Sequence, residues 1–391
     1  MWDGTSSCTM GRFLLPTCKR AVNAEGLGSS MIFWRAGAAY ALMLNLTLAD
    51  EPLVVGHGIS TRAHTWLGLG MGACTGDALR AAMDSGALRR VDHHQPVDFS
   101  TAAGGGELRE ASAALAAGQR PPPGSFAAAV LRDHAANTVH VFHGCARLAS
   151  PLADSLADRV EMALRQSYHR AAASRASQLP WAGAPLNEVQ VALHYRAGDV
   201  LAVASKSRAV AGAEPPPEEL PPRQRRALLG GGSQDLLFDT WHGHRLLPVE
   251  YAVGALRATL AALPPHVTAV CWLFSQGPRS WFSTLRATFP HLRLELAPLR
   301  DAPELALAHL DALAHADVLI LGGGAFSELA ASLSTGLKLA PPSVWRAQPA
   351  SVKAGLNLSY PGGALTDEAT RRISSLRPSA LTAHSVEHDE I

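Results

Sequence analysis

Short apolar runs alternate along this chain with longer stretches in which apolar residues recur every three or four positions, the signature of strands followed by amphipathic helices. The alternation is cleanest in the second half. There Val189-Gln190-Val191-Ala192-Leu193 predicts a strand, 249–263 a helix, 267–274 a strand, 279–287 a helix, 292–296 a strand, 303–315 a helix, 318–321 a strand, 327–334 a helix and 337–340 a last strand. Apolar strands separated by helical crossovers predict a parallel, doubly wound sheet of Rossmann type. The first half is Ala-rich, with helical stretches at 32–46, 76–88, 107–117 and 152–174 and strand candidates at 52–55 and 138–142. Both halves therefore read as α/β.

Punctuation sets the boundaries. Arg120-Pro121-Pro122-Pro123-Gly124 is a turn or loop, because proline removes donors and fixes the backbone. Residues 177–185 read as a linker, which gives an N-terminal α/β domain over 1–180, a C-terminal Rossmann-type domain over 186–345 and a tail over 346–391. Within the second domain 205–245 carries Pro215-Pro216-Pro217, Pro221-Pro222 and Gly230-Gly231-Gly232. Too few apolar residues stand there to offset the entropy of ordering, so a mobile insertion beside the crevice is expected. At 391 residues, 47% of them apolar, the chain can bury the cores of two domains.

A formal net charge of +1 with scattered basic residues argues against nucleic acid as a partner. No window approaches the length of apolar sequence that spans a bilayer, so stable membrane insertion is not expected. The five cysteines, Cys8, Cys18, Cys74, Cys145 and Cys271, lack paired CxxC spacing, and no metal site is expected. Cys271 reads as a small buried hydrophobe, and Cys8 with Cys18 could form a local bridge. The last residues, His388-Asp389-Glu390-Ile391, differ from an HDEL retrieval signal only in the final side chain. With the sequons Asn45-Leu46-Thr47 and Asn357-Leu358-Ser359 they point to the secretory lumen, endoplasmic reticulum or Golgi, although residues 1–19 show no signal-peptide pattern.

The candidate chemistry lies at two strand ends. His194-Tyr195-Arg196-Ala197-Gly198-Asp199 closes the strand 189–193, and residues two apart on a strand share a face, so His194 and Arg196 point together. The guanidinium fork of Arg196 suits a pair of phosphate oxygens. Asp199 is either a helix or turn cap or an acid facing the ligand. After the strand 318–321, Gly322-Gly323-Gly324-Ala325-Phe326-Ser327 turns into a helix, where glycine permits close approach of a ligand, helix amides favour phosphate and Ser327 can add a donor. A turn with glycine for tight packing alone is the other reading of that segment.

With these residues the chain resembles the fucosyltransferase superfamily, which carries a His-x-Arg motif. Three further segments carry the resemblance: Glu25-Gly26-Leu27-Gly28-Ser29-Ser30 leading into a small-residue helix, Leu247-Pro248-Val249-Glu250-Tyr251, and Asp317 to Ser327 as the late motif. The resemblance implies a GT-B-like fold, two Rossmann-type domains facing a central cleft, with the first domain on the acceptor side and the tail after Trp345 crossing back to the first domain. It implies an inverting, metal-independent glycosyltransferase with GDP-fucose as donor substrate, a protein or glycan hydroxyl as acceptor, and no other cofactor. By the same resemblance His194, Arg196, Asp199, Gly322, Gly323, Gly324, Phe326, Ser327, Gly26, Gly28 and Ser29 bind the nucleotide sugar. Arg196 neutralises the leaving diphosphate, and the general base is Asp239 or Glu25. Arg35 is either a donor to the diphosphate or a solvent-facing ion-pair partner. Two rival readings stay open: a GT-B enzyme with another nucleotide sugar, and a catalytically silent nucleotide-sugar or glycan-binding protein.

Overall fold

The structure, a computed structural model, describes residues 11–17, 27–50, 60–69, 74–94, 106–143, 154–185, 187–197, 247–298, 303–340, 358–359 and 364–376. The chain divides into two compact units, Met1–Ser174 with Ala347–Ala354 and Arg175–Arg346 with Gly355–Ile391. Each has its own parallel sheet with helices, as the α/β reading expects.

In the first unit the chain runs β1 (Arg12–Thr17), α1 (Leu27–Leu44), β2 (Thr47–Leu48), α2 (Ser60–Trp66), α3 (Gly76–Asp84), β3 (Arg89–His94), α4 (Gly106–Ala116), α5 (Phe126–Arg132), β4 (Thr138–His143) and α6 (Asp154–Ala172). The strand order is β2-β1-β4-β3, all parallel. Alternation along β1 and β4 feeds two cores: Leu14 and Phe142 pack with Tyr40, Phe126 and Val160, while Phe13, Leu15, Val139 and Val141 pack with Leu79 and Leu88. Pro16 is tolerated in a central strand because β2 pairs only with Phe13 and Leu14 and ends before it. Asn45 closes α1 with φ +52°, a left-handed cap in which Leu46 N–H donates to Ala41 O at 2.8 Å.

Arg35 is an ion-pair partner, as one of its two readings expects, but it is buried and not solvent-facing. It is buried on α1, with Nε 2.6 Å from Glu161 Oε1 of α6 and Nη2 donating to Oε2 at 3.2 Å. Cys74 is disulfide-bonded, with its partner outside the described residues, as are the expected Cys8–Cys18 bridge and the expected strand 52–55.

The second unit continues with β5 (Glu188–His194), α7 (Val249–Ala262), β6 (Thr268–Gln276), α8 (Ser283–Thr288), β7 (Arg293–Ala297), α9 (Pro303–His315), β8 (Val318–Ile320), α10 (Ala325–Leu333), β9 (Leu337–Leu339), the hairpin β10 (Leu358–Ser359) and β11 (Ala364–Leu365), and α11 (Asp367–Ser374). Its five parallel strands lie in the order β7-β6-β5-β8-β9. Strand β5 is central and buried, which is why it reads as a nearly continuous apolar run. Its polar exception, Gln190, accepts from Trp272 Nε1 at 2.9 Å, and its backbone N–H donates to the Asp317 carboxylate at 2.7 Å.

Residues 177–185 are no linker: Leu179 and Trp181 are buried, and Trp181 lies 5.6 Å from Trp272 between ring centroids. The described part of the tail belongs to the second unit, where Ala369 and Ile373 of α11 join the core built on α7 and the sheet. The insertion 205–245 and the HDEL-like end lie outside the described residues. Among the described residues no helix is long and apolar enough to cross a membrane. Cys271 is free and buried, and burial pushes its thiol up to about 11.

His309 on α9 is 7% exposed, its ring stands edge-on to Phe274 at 5.2 Å, and its Nε2 has no hydrogen-bond partner. Burial lowers its pKa to about 4. Because the unfolded chain then binds the proton more readily, the second unit loses stability as pH falls from about 6.5 toward 4, on the order of 3 kcal/mol in all. Urea midpoints between pH 7 and 4.5 are expected to fall less steeply for His309→Leu than for the parent chain. Parallel pH profiles would contradict this account of the buried imidazole.

Candidate functional site

Strand order fixes where a ligand can enter the second unit. From β5 the chain builds outward through β6 and β7, then returns to the other side of β5 for β8 and β9. The crevice outside the carboxyl ends of β5 and β8 is therefore a topological switch point, the position where open α/β sheets bind ligands. His194-Tyr195-Arg196 ends β5, and Gly322-Gly323-Gly324 follows β8.

The two strand ends meet backbone to backbone. A Cβ on Gly322 would stand 2.5 Å from His194 O and 3.3 Å from Arg196 N, so only glycine fits that approach. Gly324, at φ +101°, caps α10 without a side chain, and a Cβ there would lie 2.1 Å from Arg196 Nη1. The guanidinium thus rests on the glycine that opens the helix. The first amides of α10 have no partner inside the helix, and its dipole places partial positive charge at the same end.

His194 is buried, its Nδ1 hydrogen-bonded to Ser327 Oγ and its ring 5.3 Å from that of Phe326. Ser327 is fully buried and sits within the first turn of a helix that starts at Ala325, two residues before the expected start. Its hydroxyl is joined to His194, a partner the sequence did not announce. Phe326, Gly324 and Arg196 are half-buried, while Gly322 and Gly323 are buried.

Two tyrosines complete the frame, and the sequence reading assigned neither a role. Tyr195 points away from the crevice side of its neighbours and donates its hydroxyl to Leu247 O at 2.5 Å, just before α7. Tyr251, in the first turn of α7, donates to Leu321 O at 3.0 Å, at the end of β8. Burial pushes both phenols far up, so both stay protonated as donors. Leu247-Pro248-Val249-Glu250-Tyr251 is thereby bonded to both strand ends. A signal was present: a tyrosine inside each of two motifs, beside residues read for chemistry.

The remaining expected residues divide plainly. Asp199, Asp239, Glu25 and Gly26 lie outside the described residues. Gly28 and Ser29 belong to the first turn of α1, which starts at Leu27, so Gly28 is a buried helical glycine and not a loop hinge. They stand in the first unit, away in sequence from the β5–β8 crevice.

No protein-family model matches this chain, and no curated protein sequence matches it. Among solved structures it is similar to POFUT1 in complex with GDP, at 10% sequence identity and a TM-score of 0.47 over 86% of this chain and 99% of that one. It is also similar to POFUT1 in complex with GDP-fucose, at 9% identity and a TM-score of 0.40 over 85% of this chain and 97% of that one. Likeness this loose leaves the site to be read from its own geometry.

Proposed function

We propose that this chain is an inverting glycosyltransferase that takes a nucleoside diphosphate sugar, GDP-fucose, as donor and a protein or glycan hydroxyl as acceptor. The observation that carries the reading is the Arg196 guanidinium resting on Gly324 at the amino end of α10, at the switch point of the sheet. A fixed fork of donors and a row of helix amides converge there, a combination suited to a diphosphate. His194, fixed by Ser327 and flanked by Phe326, is placed two residues from Arg196 on the same strand end and supplies a second contact to the nucleotide.

In the reaction the acceptor oxygen attacks the anomeric carbon, the bond from that carbon to the β-phosphate oxygen breaks, and the acceptor proton passes to a carboxylate, Asp239 or Glu25. Negative charge grows on the departing β-phosphate. Arg196 and the α10 amides are already oriented toward that charge and need not reorganise as it develops, which is how preorganised dipoles accelerate such steps. The guanine and fucose specificities rest on the family resemblance of the four motifs, three of which this frame joins by hydrogen bonds or close packing.

A melting-temperature comparison with GDP, UDP and CMP tests the donor. GDP at about 100 times its dissociation constant is expected to stabilise the chain by roughly 2.7 kcal/mol, with a smaller effect from the other two. A UDP or CMP shift larger than that of GDP would replace the donor assignment. Binding of GDP without transfer or hydrolysis of GDP-fucose would make the chain a silent binder.

A further inference from the structure

We propose that Asp92, His94 and His143 form a binding site for one divalent transition-metal ion of the zinc class, on the first unit's sheet. Each offers one ligand atom, and the three atoms lie within 4.8 Å of one another. The site stands independently of the sugar-transfer reading, which uses none of these residues.

The backbone builds the cluster. Asp92 and His94 are two apart on β3 and so share a face, and His143 on β4 is the register partner of His94. All three project from the carboxyl ends of parallel strands, on the face whose inner part holds Val139 and Val141. The His94 and His143 rings stack with centroids 4.5 Å apart and planes 9° apart. His143 Nε2 donates to Asp92 Oδ1 at 2.5 Å. An ion that replaces this shared proton gains the imidazole and the carboxylate at once, and His94 adds the third donor. Tetrahedral zinc holds its ligand atoms about 3.3 Å apart, so each pair need move by no more than about 1.5 Å to reach that geometry.

Arg90 holds the carboxylate in place, its Nε 2.8 Å from Oδ2 and its Nη2 2.8 Å from Oδ1 of Asp92. Metal-bound carboxylates are commonly oriented by such outer hydrogen bonds. The arginine charge also opposes a cation, which two imidazoles in the donor set counter by selecting a borderline ion over magnesium or calcium. Because β3 is, among the described residues, an edge strand joined only to β4, the ion would act as a clip between the two.

The full chain, stripped with EDTA, is dialysed against Zn2+ and its bound metal counted, with the His94→Ala/His143→Ala double variant and Asp92→Asn measured alongside. The parent chain is expected to bind one more ion than the double variant, and to melt at a higher temperature with Zn2+ but not with Mg2+. All three side chains are at least part-exposed, so far-UV circular dichroism is expected to show the variants folded. Co2+ in the site should absorb in the visible without a thiolate charge-transfer band, which separates it from binding at the cysteines. Equal metal content in parent and double variant, a parent chain that binds none, or an equal shift with Mg2+ overturns the proposal.

Discussion

Arg196→Ala is expected to lower the rate of sugar transfer by roughly 10²–10³-fold, the loss seen when one preorganised donor to a developing oxyanion is removed. Folding should survive, because the side chain is half-buried at a strand end while the β5 core lies inward of it. Arg196→Lys keeps the charge but not the planar fork, and an intermediate loss is expected. The same variants should shrink the melting-temperature shift given by GDP. Single-turnover transfer from GDP-fucose and thermal unfolding with and without GDP measure the two effects. An alanine variant that keeps more than about a tenth of the parent rate would remove Arg196 from the chemistry, since the expected loss is at least tenfold greater.

Gly324→Ala should lower transfer by about 10²-fold without removing any side chain of the reaction, because a displacement near 1 Å in a positioning contact can have that effect. The added Cβ would lie 2.1 Å from Arg196 Nη1, so the guanidinium must move. Alanine at φ +101° also adds backbone strain, on the order of 1–2 kcal/mol of stability. Gly322→Ala makes an informative contrast. Its Cβ meets the backbone oxygen of His194 at 2.5 Å, which no side-chain rotation relieves, so it should damage folding more than Gly324→Ala does. If the Gly324 variant transfers sugar at the parent rate, the guanidinium is not held where the donor needs it.

The second unit was legible because β5 and β8 are central and buried, so each appears as an apolar run, and its helices fill the intervals. The edge of the first sheet was not. Strand β3, Arg-Arg-Val-Asp-His-His, is half-exposed and carries one aliphatic residue, which leaves no hydrophobic alternation to read. Strand β1 was hidden by Pro16, whose tolerance depends on where β2 stops, a tertiary fact. Trp181 looked like part of a polar connection until Trp272 arrived from a strand 91 positions on. The meeting of His194 and Arg196 with Gly322 and Gly324 at one crevice was legible from residue type and place at two strand ends. The use of Ser327 was not, because its partner His194 lies 133 residues away and a helix-opening serine reads locally as a cap or a donor.

The Tyr195 hydroxyl joins two points of the chain separated by 52 positions, the end of β5 and Leu247 at the head of α7. Whatever stands between Ala197 and Leu247 therefore begins and finishes at a pinned gate, and its length no longer governs where the strand end or the helix goes. A change of length there leaves both anchored ends in register.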